Sequence, residues 1–346
     1  MKKKILNFTK IVFFLSLGIF FIWLFMHNLT PDEKQEIYSS FLSANYFWIF
    51  VSIAIGVFSH YSRALRWKIM LKPMGYNPST KITFMAVMIG YFANLALPRL
   101  GEVTRCGILA RYEKIPLQKS FGTVVTERAI DLISLFLAFI LTFAIHFDKL
   151  AVFKESKLFL NVSAKYNQLE NPSTLYFWAG GIIILIVLTL YGLRHKIANN
   201  RFYQKIKEII LGFIEGLKSL VKIKNPVLFI FHSLNIWFMY LLMTWVIFFC
   251  LPENSNLGLD VGLAVLVIGS IGIILVQGGI GIYPCLVSET LVIFLFTETK
   301  GYATGWLSWT GQTLMVIIFG LLAMVLLPIF NNKKNGLSTI QQTEDH

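Results

Sequence analysis

The chain has 346 residues, 56% of them hydrophobic and 14% charged, with 31 Lys and Arg against 18 Asp and Glu for a formal net charge of +13. Hydropathy this high, gathered in runs of about 20 apolar residues, excludes a single soluble domain and implies an all-α polytopic membrane protein. The positive charge does not indicate nucleic acid: Lys and Arg fall just outside apolar runs, where they set topology and meet anionic lipid head groups, and no basic soluble domain accompanies them.

Lys2, Lys3, Lys4 and Lys10 precede the first apolar run, about 11–27, and place the N-terminus in the cytoplasm. No small-x-small cleavage site precedes the polar stretch HNLTPDEKQE, so this run reads as an uncleaved span. The acidic segment 32–36 is then external. A second run from about Tyr46 returns inward and ends in Arg63, Arg66, Lys68 and Lys72, a basic cluster expected in the cytoplasm with Trp67 as an interface anchor. Farther on, residues 194–224 hold eight Lys or Arg against two Glu, the strongest topology signal in the chain, so this segment is inside. Its apolar residues recur at helical spacing and predict an amphipathic helix at about 196–222 on the cytoplasmic surface.

These anchors impose a parity condition. The span at about 174–193 ends inside, the loop 148–173 is outside, and 81–146 must cross the membrane an odd number of times. It nevertheless holds two apolar runs, 82–97 and 121–147. The conflict disappears if 81–119 is a re-entrant hairpin broken at Pro98, which lacks an amide donor and disfavours helix in the residue before it. Such backbone is tolerated only inside protein or beside a water-filled cavity. The second half repeats the pattern: 225–251 leads outward, 252–260 is external, and GGIGIYP at 278–284 breaks a second hairpin, about 261–300, before a final span at about 303–330. The result is about six full spans plus two hairpins from opposite faces, an arrangement like an inverted repeat that places a site near the midplane. The expected organisation is one domain, 1–330, and a polar tail, 331–346, with both termini on the cytoplasmic side of the inner membrane.

Between the apolar runs lies NLALPRLGEVTRCGILARYEKIPLQKSFGTVVTERAID, residues 94–131, which carries Arg99, Glu102, Arg105, Glu127, Arg128 and Asp131. A bilayer disfavours each such residue by several kcal/mol. A helix starting near Ser120 rises about 1.5 Å per residue and puts Glu127 and Asp131 roughly 10–17 Å deep, near the middle of a core about 30 Å thick. Arg99 and Arg105 on the returning arm reach the same level, so the expected pairing is Arg105 or Arg99 with Glu127 or Asp131. Two roles stay open: ion pairs that pin the hairpin to the helix, or guanidinium forks that hold an anionic group such as a phosphate.

Other signals are weaker. Cys106, Cys250 and Cys285 form no CxxC pair and indicate neither zinc nor a disulfide framework. His60, His146 and His232 are isolated and read as packing or interface residues. Asn235, Gln277, Gln312 and Thr313 either line a path or bond between helices. No metal, cofactor or catalytic signature is present.

RALRW (63–67), NLALPRLGEVTR (94–105), TERAID (126–131) and GGIGIYP (278–284) together resemble the lysylphosphatidylglycerol synthase transmembrane family, or flippase-like domain, over about 11–328. The resemblance implies a lipid-translocating membrane unit whose polar core is Arg99, Glu102, Arg105, Glu127, Arg128 and Asp131. Secondary candidates are Asn94, Arg63, Arg66, Gln277, Gly278, Gly279 and Gly281. The family's second break often reads P-G-G-x-G followed by Glu, whereas here Gln277 precedes the glycines and Tyr283-Pro284 replaces the acid. Full-length synthases also carry a cytosolic aminoacyl-transferase domain. Residues 331–346 are too few to fold as one, so aminoacylation by this chain alone is not expected. The expected function is translocation of an anionic phospholipid or lipid-linked substrate without cofactor. An intramembrane transferase on a lipid-linked sugar, with Glu127 or Asp131 as base, and a homo-oligomeric or enzyme-partnered scaffold are the competing classes.

Overall fold

A computed structural model describes residues 29–97, 99–149 and 225–344 continuously, together with Ile223 and most of 19–27. The spans expected at 11–27 and 174–193 and the amphipathic helix at 196–222 lie wholly or largely outside the described residues. The described chain is helical: α1 (Pro31–Ser43), α2 (Phe47–Leu71), α3 (Thr80–Ala96), α4 (Leu100–Tyr112), α5 (Leu117–Ile145), α6 (Pro226–Val246), α7 (Leu259–Leu275), α8 (Ile282–Ile293) and α9 (Glu298–Glu344). Among the described residues four segments are long and apolar enough to cross a membrane, namely Phe47–Met74, Leu117–Ile145, Pro226–Cys250 and Glu298–Phe330. Helices α3, α7 and α8 are apolar but shorter.

Helix α1 starts where a capping box tells it to. Thr30 accepts from the Glu33 amide, the Glu33 carboxylate accepts from the Thr30 amide at 2.7 Å, and Pro31 occupies the first turn. Its Ile37, with Leu29 just before the helix, packs in one cluster with Tyr302, and Glu36 accepts a 2.7 Å hydrogen bond from Thr299, so α1 is clamped to the start of α9.

Helix α2 buries a stripe of small and polar residues against α6. Ser52 donates to the Met243 carbonyl, Ser59 to the Ile236 carbonyl, and Ser62 bonds His232 Nδ1 at 2.8 Å. Positions on α6 fall as those on α2 rise, so the two helices are antiparallel. Serine hydroxyls satisfied across the interface are a favourable way to join helices where burial of apolar surface gives little drive. Gly56 lets methionines fill the same seam, since a Cβ there would lie 2.4 Å from Met315 Sδ.

Helices α3 and α4 form a broken pair. Leu97 is extended, Arg99 adopts a left-handed backbone at φ 63°, and α4 then runs back along α3. Their approach needs glycine: a Cβ on Gly101 would lie 2.0 Å from the Gly90 carbonyl oxygen. Asn94 completes the turn by accepting from the Gly101 amide at 2.7 Å. Trp67, Met85, Val87, Leu109, Val124 and Leu327 belong to the apolar core that joins this pair to α2, α5 and α9.

The second half also contains a broken pair. Between α7 and α8 a short turn, Gln277–Gly279, puts Gly278, Gly279 and Gly281 at φ of 68°, 69° and 74°, which explains the glycines of the motif. Helix α9 locks this break: Trp309 Nε1 donates to the Gly278 carbonyl at 2.6 Å, and Tyr283 and Ser308 share a 2.9 Å hydrogen bond. Gln312 donates to Tyr283 and Ser308, so it bonds between α8 and α9.

A candidate anion site built on buried arginines

Helix α5 changes character halfway. Its first turns bury Ser120, Gly122, Thr123, Val124, Thr126 and Glu127, whereas Leu132, Ile133, Phe136 and Phe139 are exposed apolar residues. The charged residues stand at that change. Arg63 and Arg66 come from α2, Glu102 and Arg105 from α4, and Glu127, Arg128 and Asp131 from α5.

Glu127 is completely buried, and Arg63, Arg66 and Arg105 are 2%, 0% and 3% exposed. Arg63 Nη1 donates to Glu127 Oε1 at 2.5 Å and to Asp131 Oδ2 at 2.6 Å. Arg66 Nη2 donates to Asp131 Oδ1 at 2.7 Å and lies 3.7 Å from Glu127. Arg105 approaches Glu127 from the other side at 3.3 Å. At the rim, half-buried Arg128 lies 3.7 Å from Glu102 and 3.8 Å from Glu127.

Aromatic side chains hold the guanidinium planes. Arg105 stacks over Trp67 at 4.8 Å, and Trp67 Nε1 is fixed by a 2.9 Å hydrogen bond to Thr123. Arg63 lies 5.9 Å from the Tyr91 ring and donates to Tyr240 at 3.2 Å. His60 packs against the Tyr91 ring at a tilt, with centroids 4.4 Å apart, in keeping with a packing histidine.

The charges do not balance. Three buried arginines face Glu127 and Asp131, and the Arg128 and Glu102 pair is neutral, so the group carries one excess positive charge. Burying an uncompensated charge is costly. Donors are in excess as well: among the described residues the buried Nε atoms of Arg63, Arg66, Arg105 and Arg128 have no hydrogen-bond acceptor, against Glu102 Oε2 and Glu127 Oε2 as buried acceptors with no hydrogen-bond donor. Beside them a cavity of about 10 Å³ is bounded by Tyr91, Asn94, Glu102, Arg105 and Arg128. It has room for about one water molecule.

The expected pairing of Arg105 with Glu127 is present. Arg99 is a correction: it is exposed at the turn between α3 and α4 and makes no ion pair with Glu127 or Asp131, because α4 begins one residue later and carries Arg105 inward instead. Arg63 and Arg66, secondary candidates that were also expected in a basic cluster at the end of α2, are buried at the centre of the site. Trp67 is a second correction: expected as an interface anchor, it is wholly buried. Asn94, a secondary candidate, holds the α3–α4 turn. Gly278, Gly279 and Gly281 belong to the other break, where α9 holds them through Trp309; Gln277 shares that turn. Tyr91, Tyr240 and Ser233 were not singled out by sequence, where nothing distinguishes them from other helix residues. Among the described residues no group of three or more His, Cys, Asp or Glu is placed to hold a metal ion.

The family model described as the lysylphosphatidylglycerol synthase TM region matches residues 8–303. Two curated relatives from Methanocaldococcus jannaschii are similar to the chain. UPF0104 membrane protein MJ1595 is 28% identical over 126 residues, 36% of this chain and 37% of the relative. UPF0104 membrane protein MJ1078 is 26% identical over 170 residues, 48% of this chain and 64% of the relative. The matches thus span between about one third and two thirds of those relatives' lengths. No solved structure matches. The chain is a membrane protein and belongs to the lysylphosphatidylglycerol synthase transmembrane family.

Proposed function

We propose that the chain is a translocase for an anionic lipid or lipid-linked substrate, and that Arg63, Arg66, Arg105 and Arg128 receive its charged head group. The observation that carries this reading is the excess of buried arginine over carboxylate beside the α3–α4 break. Guanidinium groups with free N–H donors suit phosphate oxygens in number and geometry. A bound anion would offset the unpaired charge and occupy the unused donors.

In this reading α3 and α4 are a re-entrant hairpin, α7 and α8 are its counterpart from the opposite face, and both termini are cytoplasmic in the inner membrane. Irregular backbone at membrane depth is tolerated only inside protein or beside a water-filled cavity, so this reading sets the exposed Arg99 and Leu100 of the first break against water and not lipid. A general-base role for Glu127 is disfavoured, since three arginines already compete for its oxygens.

The test is reconstitution of the purified protein with a labelled anionic phospholipid. The label should cross between leaflets faster than in protein-free vesicles, and Arg105→Ala should slow it. The proposal fails if wild-type protein moves no anionic lipid, or if Arg105→Ala matches wild type. Formation of a new lipid product from a lipid-linked donor would support a transferase instead.

A further inference from the structure

A second cavity, about 250 Å³, lies between α5 and α6 with α7 packed against both. Its walls are apolar, with Leu137 from α5, Leu234 and Trp237 from α6 and Leu263 from α7, except at one end, where Ser134 and Ser233 stand. That end adjoins the charged site. Ser134 is three residues beyond Asp131 on α5, and so on the same face about one turn on, and Ser233 accepts a hydrogen bond from Arg66 Nη1 at 3.4 Å. From Ser233 to Leu241 the groove follows α6 for roughly 12 Å.

We propose that this groove holds one hydrocarbon chain of the anionic lipid whose head group engages the arginines. This rests on the lipid reading given above. Three features favour a lipid chain over other occupants. The groove is apolar along its length and polar only where it meets the site. The site it meets has an excess of positive charge, which calls for an anionic head. One turn into the groove, roughly 6 Å beyond Ser233, the Trp237 indole N–H is buried with no hydrogen-bond partner among the described residues. An ester carbonyl linking head to chain would supply the missing acceptor. The small site thus reads the charge of the head, and α5, α6 and α7 read the chain.

The test uses full-length protein in nanodiscs containing phosphatidylglycerol with a photoreactive diazirine in one acyl chain. Illumination should label peptides carrying Leu137, Leu234 or Phe238 several-fold more than the exposed apolar residues Leu322 and Val325 of α9, which do not line this groove. A neutral diacylglycerol carrying the same chain should label the groove several-fold less. Ala138→Trp and Leu234→Trp, which fill the groove, should each reduce labelling, and elution as a single species by size exclusion confirms that the variants fold. Equal labelling of groove and α9, equal labelling by the neutral lipid, or disulfide-linked dimers of Ala138→Cys that place a second copy in the groove would overturn the proposal. The wild-type labelling ratio decides even if both tryptophan variants misfold. Groove labelling without translocation leaves this inference standing and removes the transport reading. Translocation without groove labelling does the reverse.

Discussion

The Arg63 guanidinium lies 2.5 Å from the Glu127 carboxylate, with both side chains buried. Because Arg63 also reaches Asp131, one side chain of α2 ties together two carboxylates a turn apart on α5. Removing one partner of a buried pair leaves the other charge unpaired and costs about 3–5 kcal/mol, whereas removing both can be nearly neutral. Arg63→Met and Glu127→Gln should therefore each lower the unfolding temperature of the detergent-solubilised protein sharply. The double variant keeps the cluster's net charge and should lose clearly less than the sum of the two. Additive losses would mean that the pair is not coupled.

Gly101 and Gly107 lie on the same helix and make opposite demands. A Cβ on Gly101 would lie 2.0 Å from the Gly90 carbonyl, against backbone that cannot rotate away, while a Cβ on Gly107 meets nothing within 4 Å. Gly101→Ala should force α3 and α4 apart at a cost of about 3 kcal/mol or more, at or beyond the upper end of ordinary overpacking. Gly107→Ala should be neutral or stabilising by up to about 1 kcal/mol, the helix-propensity difference. Thermal unfolding of the two variants checks the contrast, and similar melting temperatures would refute the close α3–α4 approach.

Much of the local structure was legible in the sequence. The positions of both helix breaks followed from Pro98 and the glycines at 278–281, and Arg105 was matched to Glu127 because both fall at one level when rise per residue is counted along two antiparallel segments. What misled was the RALRWK sequence at the end of an apolar run, which looks like a positive-inside signal. A finer reading was available. At about 100° per residue Ser59, Arg63 and Arg66 share one face of α2, while Lys68 lies nearly opposite Arg66. Arg63 and Arg66 therefore continue the small, polar stripe that packs on α6. The fate of Arg99 was not legible, because a residue beside a break can turn either way and its left-handed backbone is set by tertiary packing.

Arg99 and Arg105 consequently separate what the sequence suggested from what the fold does. Arg99→Ala removes an exposed side chain, so unfolding temperature should change by no more than the equivalent of about 0.5 kcal/mol. Arg105→Ala strips Glu127 of one partner and Trp67 of its stacked cation, and should cost several times more. In the reconstituted transport assay the same order should hold. Equal effects of the two substitutions would place Arg99 inside the site.

At the second break Gly278 and Gly279 should rank by what surrounds them. Both have positive φ, where an L-residue costs about 1–2 kcal/mol. A Cβ on Gly278 meets nothing within 4 Å, so Gly278→Ala should cost that strain alone, and Gly278→Asn less, since asparagine tolerates the left-handed region. A Cβ on Gly279 would lie 3.1 Å from Ile273 Cγ1 and 3.1 Å from Tyr283 Cβ, adding crowding to strain. Gly279→Ala should be the more damaging. Trp309→Phe keeps the ring but leaves the Gly278 carbonyl without its donor, for a loss of about 1 kcal/mol. Unfolding measurements on these four variants should give the order Gly279→Ala, then Gly278→Ala, with Gly278→Asn and Trp309→Phe mildest. If Gly278→Ala proved harmless, the left-handed turn that joins α7 to α8 would be wrong.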